Sequence, residues 1–153
     1  MIYFSIVKKE EDFPKLVTRE FFLEFLYEHL DEYRDKKSDI NKAIEYAFSD
    51  AKGKGGFIIA AINNGILVGG AVVNKTGMSG YIPHYILVYI STHKDYRGQG
   101  IGKKILEKVK KECPGDIALH VEYDNPAVNL YKKSGFKSKY AEMRYKNKAN
   151  NNG

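Results

Sequence analysis

Cysteine is almost absent from this chain, and the one that occurs, Cys113, excludes both an internal disulfide framework and a cysteine-rich metal site. No metal is expected. No uninterrupted apolar stretch reaches the length of a membrane span, and Met1-Ile2-Tyr3-Phe4 lacks the charged start and long apolar middle of a signal peptide. With a lone cysteine and no such segment, a reducing, cytoplasmic location is the expectation. Internal repeats are also missing. What is present, 153 residues at 43% hydrophobic content, suits one globular domain with a single sizeable core. We expect that domain to span residues 1–147, with Lys148 to Gly153 as a fraying polar tail.

The net charge is +6, and a basic chain can bind nucleic acid, an acidic surface or a polyanionic coenzyme. Lysines gather at Lys103-Lys104, Lys108 to Lys111 and Lys132-Lys133, with Lys146 and Lys148 near the end. Most read as solvated faces rather than a nucleic-acid stripe. The same positive surface argues against a polycationic partner.

The chain is organised around Tyr85 to Val109. An apolar run, Tyr85 to Ile90, reads as a buried strand; after a polar connector come Arg97-Gly98-Gln99-Gly100-Ile101-Gly102 and a helical pattern to Val109. Such a junction is an anion cradle, because first-turn N–H groups have no internal partner and the helix dipole adds positive potential. Glycines allow close backbone approach and positive φ, and Arg97 would add a cation at the rim. A Walker loop would need Lys followed by Ser or Thr, whereas Lys103-Lys104-Ile105 stands here. The dinucleotide fingerprint would need its third glycine at Lys103.

The residues instead match Arg-x-x-Gly-x-Gly through Arg97, Gly100 and Gly102. A second segment follows: Asn125-Pro126-Ala127, then Leu130-Tyr131, then Gly135-Phe136. Asn125 is a good N-cap, Pro126 suits the first helical position and Gly135 a terminator. With both segments in this order, the sequence resembles the GNAT family of acetyl-CoA-dependent N-acetyltransferases, over about Ile58 to Phe136. The resemblance implies acetyl-CoA as cosubstrate. It places the pyrophosphate on Arg97, Gly98, Gln99, Gly100, Ile101, Gly102 and Lys103, with Asn125 nearby, and backbone contacts to the pantetheine and acetyl portions at Ile90 and Thr92.

Around this centre, Ile2 to Val7 reads as a strand, and Asp12 with Pro14 marks a helix start. Phe22, Phe25, Leu26, Leu30 and Tyr33 form one face of an amphipathic helix within Leu16 to Tyr33. Ser38 caps a second helix carrying Ile40, Ile44, Ala47 and Phe48. Two apolar runs, Phe57 to Ile62 and Ile66 to Asn74, meet at the hairpin signal Asn63-Asn64-Gly65. Ile101, Ile105, Leu106, Val109 and Cys113 mark a helix face, Ile117 to Val121 a buried strand, and Phe136 with Tyr140 to Lys146 closing β segments. The expected fold is α+β: a mixed, mostly antiparallel sheet of about six or seven strands flanked by helices. The resemblance makes the strands ending near Thr92 and Val121 parallel neighbours that open a cleft.

An amine attacking a thioester needs an unprotonated nucleophile, an N–H donor for the oxyanion and an acid for the departing thiolate. The N–H near Ile90 is the candidate donor. By resemblance Tyr131 is the acid, a phenol whose reference pKa of about 10 keeps it protonated at neutral pH. Cys113, on the apolar side of its helix, reads as core rather than nucleophile. For the base, His84, Glu122 and His93 stand as alternatives beside a water chain. The acceptor is a small-molecule or peptide amine of unspecified identity; a homodimer is left open. The alternative is a noncatalytic acyl-CoA-binding sensor or interaction module.

Overall fold

A computed structural model describes residues 1–148. Five strands, β1 (Ile2–Val7), β2 (Gly56–Asn63), β3 (Ile66–Lys75), β4 (Tyr85–Thr92) and β5 (Ile117–Leu119), form one sheet in sequence order. The first three pairings are antiparallel and β4–β5 is parallel. Helices α1 (Arg19–His29) and α2 (Lys37–Phe48) cover one face; α3 (Ile101–Glu112) covers the other, and α4 (Ala127–Lys133) follows β5. The mixed α+β class is as expected, but the described residues form five strands rather than six or seven. Phe136 and Tyr140 to Lys146 carry no strand, and residues 140–146 are exposed, so their apolar side chains find no sheet to join. Residues 149–153 of the expected polar tail lie outside the described residues.

The helix boundaries also move. α1 begins after Thr18, whose Oγ1 accepts the Phe21 N–H at 3.0 Å, and not at Asp12–Pro14, where only a short 3-10 turn forms. α2 starts at Lys37, one residue before the expected Ser38 cap. Between β2 and β3, Asn64 and Gly65 both take positive φ (50° and 79°), as a tight hairpin requires.

Alternation along the strands splits the core in two. Ile58, Ala60 and Val72 pack with Phe22, Leu26, Ile40 and Ile44 beneath α1 and α2. Phe57, Ile59, Ala61 and Val73 face Ile101, Ile105, Leu106 and Val109 of α3. Gly69 and Gly70 let both layers approach β3 closely. A Cβ on Gly69 would lie 2.8 Å from Ile105 Cδ1, and one on Gly70 2.7 Å from the Phe22 ring.

A bulge in β4 shapes its far end. Val72 faces Tyr89 and Val73 faces Leu87, leaving Val88 unopposed, so the consecutive Val88 and Tyr89 both pack beneath α1 and α2. On the other side, pairing with β5 stops at Leu87–Leu119. On that side β4 runs on to Thr92 unpaired among the described residues, while β3 pairs its other edge to the end, and Thr92 borders the glycine loop.

Candidate functional site

The loop after β4 is shaped by backbone conformation. Gly98 and Gly100 sit at φ 78° and 79°, in the left-handed region, with nothing within 4 Å of an added Cβ; a side chain is excluded by strain and not by crowding. Gly100 is the N-cap of α3, and no side chain caps it. The first helical bond runs from Lys104 N–H to Gly100 C=O at 3.1 Å, so the N–H groups of Ile101, Gly102 and Lys103 lie before the ladder begins. Ile101, Gly102 and Lys103 border an open hollow of about 260 Å³, lined also by Thr92, Tyr96, Arg97, Gly98, Gly100 and Leu130. Ile101's side chain is core, so only its backbone is available. Gln99 and Lys103 are exposed at the loop surface. Gly102 packs against α4: a Cβ there would sit 3.1 Å from Leu130 Cδ2.

Arg97 lines the rim of this hollow as expected, but its guanidinium is tethered there. Its Nη2 donates to the His29 carbonyl at 2.8 Å and its Nε to the Thr92 carbonyl at 3.4 Å, joining the end of α1 to the end of β4. Buried His29 in turn accepts the Lys94 N–H on Nδ1 (3.1 Å), and its ring stacks on His93 at 4.2 Å. His93, one of the candidate bases, uses its own Nδ1 to accept the Asp95 N–H (3.1 Å).

α4 stands beside the hollow. Asn125 Oδ1 accepts the Ala127 N–H at 2.9 Å, which is the expected capping bond, so this oxygen serves the helix. Tyr131 is half-buried against the α3-side core and meets Phe136 edge to face at 6.1 Å. Burial pushes its phenol up to about 12, keeping it protonated.

His84 lies away from this group. It stands just before β4, roughly 25 Å from Thr92 along an extended chain, where its Nδ1 accepts the Asp116 N–H at 3.1 Å. Glu122 follows β5 and is exposed. Its neighbourhood contains a residue that pattern reading took only for packing: Tyr33, whose hydroxyl donates to the Asp124 carbonyl at 3.1 Å. Partial burial pushes the Tyr33 phenol up, as do the charges of Asp124, Glu32 and Glu122. Likewise Tyr89 donates to Asp35 Oδ2 at 2.6 Å; burial and that bond hold its phenol protonated. His29 escaped notice because it sits inside the apolar stripe, four residues after Phe25. The only sequence signal was a histidine on a hydrophobic face.

A sheet whose parallel pair stops short beside a glycine-rich helix start is the architecture of an acyl-CoA N-acyltransferase. Residues 15–136 match the model of the acetyltransferase (GNAT) family, and the chain belongs to that family of acyltransferases. Three of the solved structures that share the fold illustrate the likeness. A GNAT-family acetyltransferase from Streptococcus pneumoniae TIGR4 superposes with TM-score 0.62 at 18% identity, covering 97% of this chain and 99% of that one. Aminoglycoside N-acetyltransferase AAC(6')-Iy, solved in complex with CoA, gives 0.64 at 14% identity, covering 97% and 95%. A ribosomal-protein-alanine N-acetyltransferase from Brucella melitensis biovar Abortus 2308 gives 0.62 at 15% identity, covering 95% and 99%.

Proposed function

We propose that this protein transfers an acetyl group from acetyl-CoA to a primary amine by direct attack in a ternary complex, as a single domain over residues 1–147 working in the cytoplasm. The observation that carries the reading is the uncapped start of α3, which opens behind two positive-φ glycines onto the hollow at the end of β4. The fit to the coenzyme is steric and electrostatic: the cradle is one that a Cβ would strain, and its donors are backbone N–H groups suited to a diphosphate. Gly98 to Lys103 would hold that diphosphate, and main chain near Ile90 and Thr92 the pantetheine arm. Acetyl-CoA, when bound, supplies an activated thioester carbonyl. Tyr131 holds a proton on its phenol oxygen for the leaving thiolate. The N–H near Ile90 is the donor assigned to the thioester oxygen.

The acceptor reading rests on the surroundings of Tyr33. The charges of Asp124, Glu32 and Glu122 all act on the Tyr33 phenol in the same sense, so the field at that hydroxyl is negative although the whole chain is positive. This favours an amine that arrives as a cation and offsets the argument from net charge. Glu122 is our candidate for removing its proton.

Calorimetric titration with acetyl-CoA tests the coenzyme reading. Wild type should bind, and Gly100→Asp, which places a carboxylate in the cradle, should lose binding. A wild type that does not bind refutes the site. Tyr131→Phe should keep coenzyme affinity while kcat falls by about 10²-fold or more. Unchanged kcat refutes the acid role, and no transfer to any amine by the wild type returns the noncatalytic sensor.

A further inference from the structure

His29, the last residue of α1, grips the segment that leads into the glycine loop at two points. Its ring Nδ1 accepts the N–H of Lys94, and its carbonyl accepts Nη2 of Arg97. Lys94–Tyr96 is a single 3-10 turn, and Arg97 is followed directly by positive-φ Gly98. That turn therefore has little internal structure of its own. Its orientation is set by bonds to α1, to the Thr92 carbonyl and to His93, whose backbone N–H donates to Val68 C=O at 2.8 Å.

We infer that His29 is a positioning residue for the coenzyme loop, and that the loop is held in its binding shape only while the His29 imidazole is neutral, so that coenzyme affinity weakens in acid. This rests on the reading of residues 98–103 as the diphosphate site. The chemical reason is simple. Neutral imidazole with Nδ1 as acceptor carries its proton on Nε2; imidazolium donates from both nitrogens and cannot accept the Lys94 N–H. Protonation removes the bond and puts a new charge in a crowded place. His29 is 5% exposed. His93 stacks on it from the end of β4, Lys94 faces it from the turn, and the Arg97 guanidinium lies against its carbonyl from the loop. On α1 itself, Phe25 packs on the ring at 4.6 Å, and Glu28 Oε2, at 3.8 Å from Nε2, is the one opposite charge beside it. Asp31 is engaged by Lys94 Nζ at 3.7 Å.

The balance of these groups favours the neutral ring. Burial lowers the His29 pKa below 6.5, the charges of His93, Lys94 and Arg97 lower it further, and only Glu28 opposes them. The neutral form is thus the folded protein's own state at neutral pH, and the acidic side is where the loop is released.

Two variants separate the proton from the packing. His29→Asn puts a carbonyl oxygen near the position of Nδ1 and cannot titrate; His29→Leu fills the site without an acceptor. The experiment is calorimetric titration of wild type and both variants with acetyl-CoA from about pH 7.5 to about pH 5. The coenzyme's own 3′-phosphate titrates in the same range, so the readout is the ratio of wild-type to His29→Asn dissociation constants. That ratio should stay near unity at the upper pH and rise about three- to tenfold at the lower. His29→Leu should bind about tenfold more weakly at both, since it leaves the part-buried Lys94 N–H without its acceptor. A flat ratio, or His29→Leu binding like wild type, overturns the positioning role and leaves the loop assignment standing. A wild type that binds no acetyl-CoA at any pH overturns the loop assignment and this role with it.

Discussion

At the scale of single residues, burial decides what the reactive groups can do. Cys113 ends α3 facing the core, and desolvation first, then the charge of Glu112, pushes its thiol up to about 12. A thiol so held is not a nucleophile at neutral pH. Native protein should therefore resist iodoacetamide, while protein in urea should be alkylated rapidly; intact-mass spectrometry reads the difference, and fast labelling of the native chain would contradict the burial. The linkage has a definite sign. Because the folded pKa lies above the thiol's ordinary value of about 9, the associated stability is complete below about pH 9 and is lost as pH rises toward about 12. That Cys113 belongs to the core was legible from its place in the apolar stripe. The use of Arg97 was not: the motif marked the position, but a partner 68 residues away took the guanidinium.

At the scale of elements, the close seating of helices on β3 depends on two side chains that are not there. Gly70 admits the edge of Phe22, and that ring is backed by Phe13 at 5.5 Å, so neither ring can withdraw freely. Gly70→Ala should destabilise the protein by about 1–3 kcal/mol, seen as a lower urea midpoint with an unchanged slope. An unaltered midpoint would mean that the α1 layer is loosely seated. The hairpin, the central strand and α3 were readable because each is specified by neighbours within a few residues: turn glycine, alternation, 3.6-residue period. The closing strands were misread for the converse reason. Tyr140, Met143 and Tyr145 have strand-like composition, but strands form only where a partner edge accepts them, and all three stand exposed.

At the scale of the whole molecule, the connector between α1 and α2 and the loop between β5 and α4 meet across the end of the sheet through the Tyr33–Asp124 bond, 91 residues apart in sequence. Tyr33→Phe removes that tie without changing shape. Faster hydrogen exchange over residues 122–126 should follow, with a higher acceptor KM and an unchanged acetyl-CoA dissociation constant. If coenzyme affinity fell equally, the tie would belong to the coenzyme side instead.

What the sequence determined by itself is the local chemistry: a strand, a glycine turn and an uncapped helix that present backbone donors in one contiguous run, and a capped helix carrying Tyr131. These follow from φ preferences, missing Cβ atoms and unpaired N–H groups, all properties of adjacent residues. Tertiary structure alone decided what surrounds that run. It set the bulge that brings Val88 and Tyr89 to one face, the place where β4 and β5 part, and His29 against Lys94 across 65 residues. It also brought Asp124 and Glu122 within electrostatic reach of Tyr33 in a positively charged chain. Such contacts depend on which layers pack together, and packing is fixed by summed burial over the whole sheet rather than by any neighbouring residue.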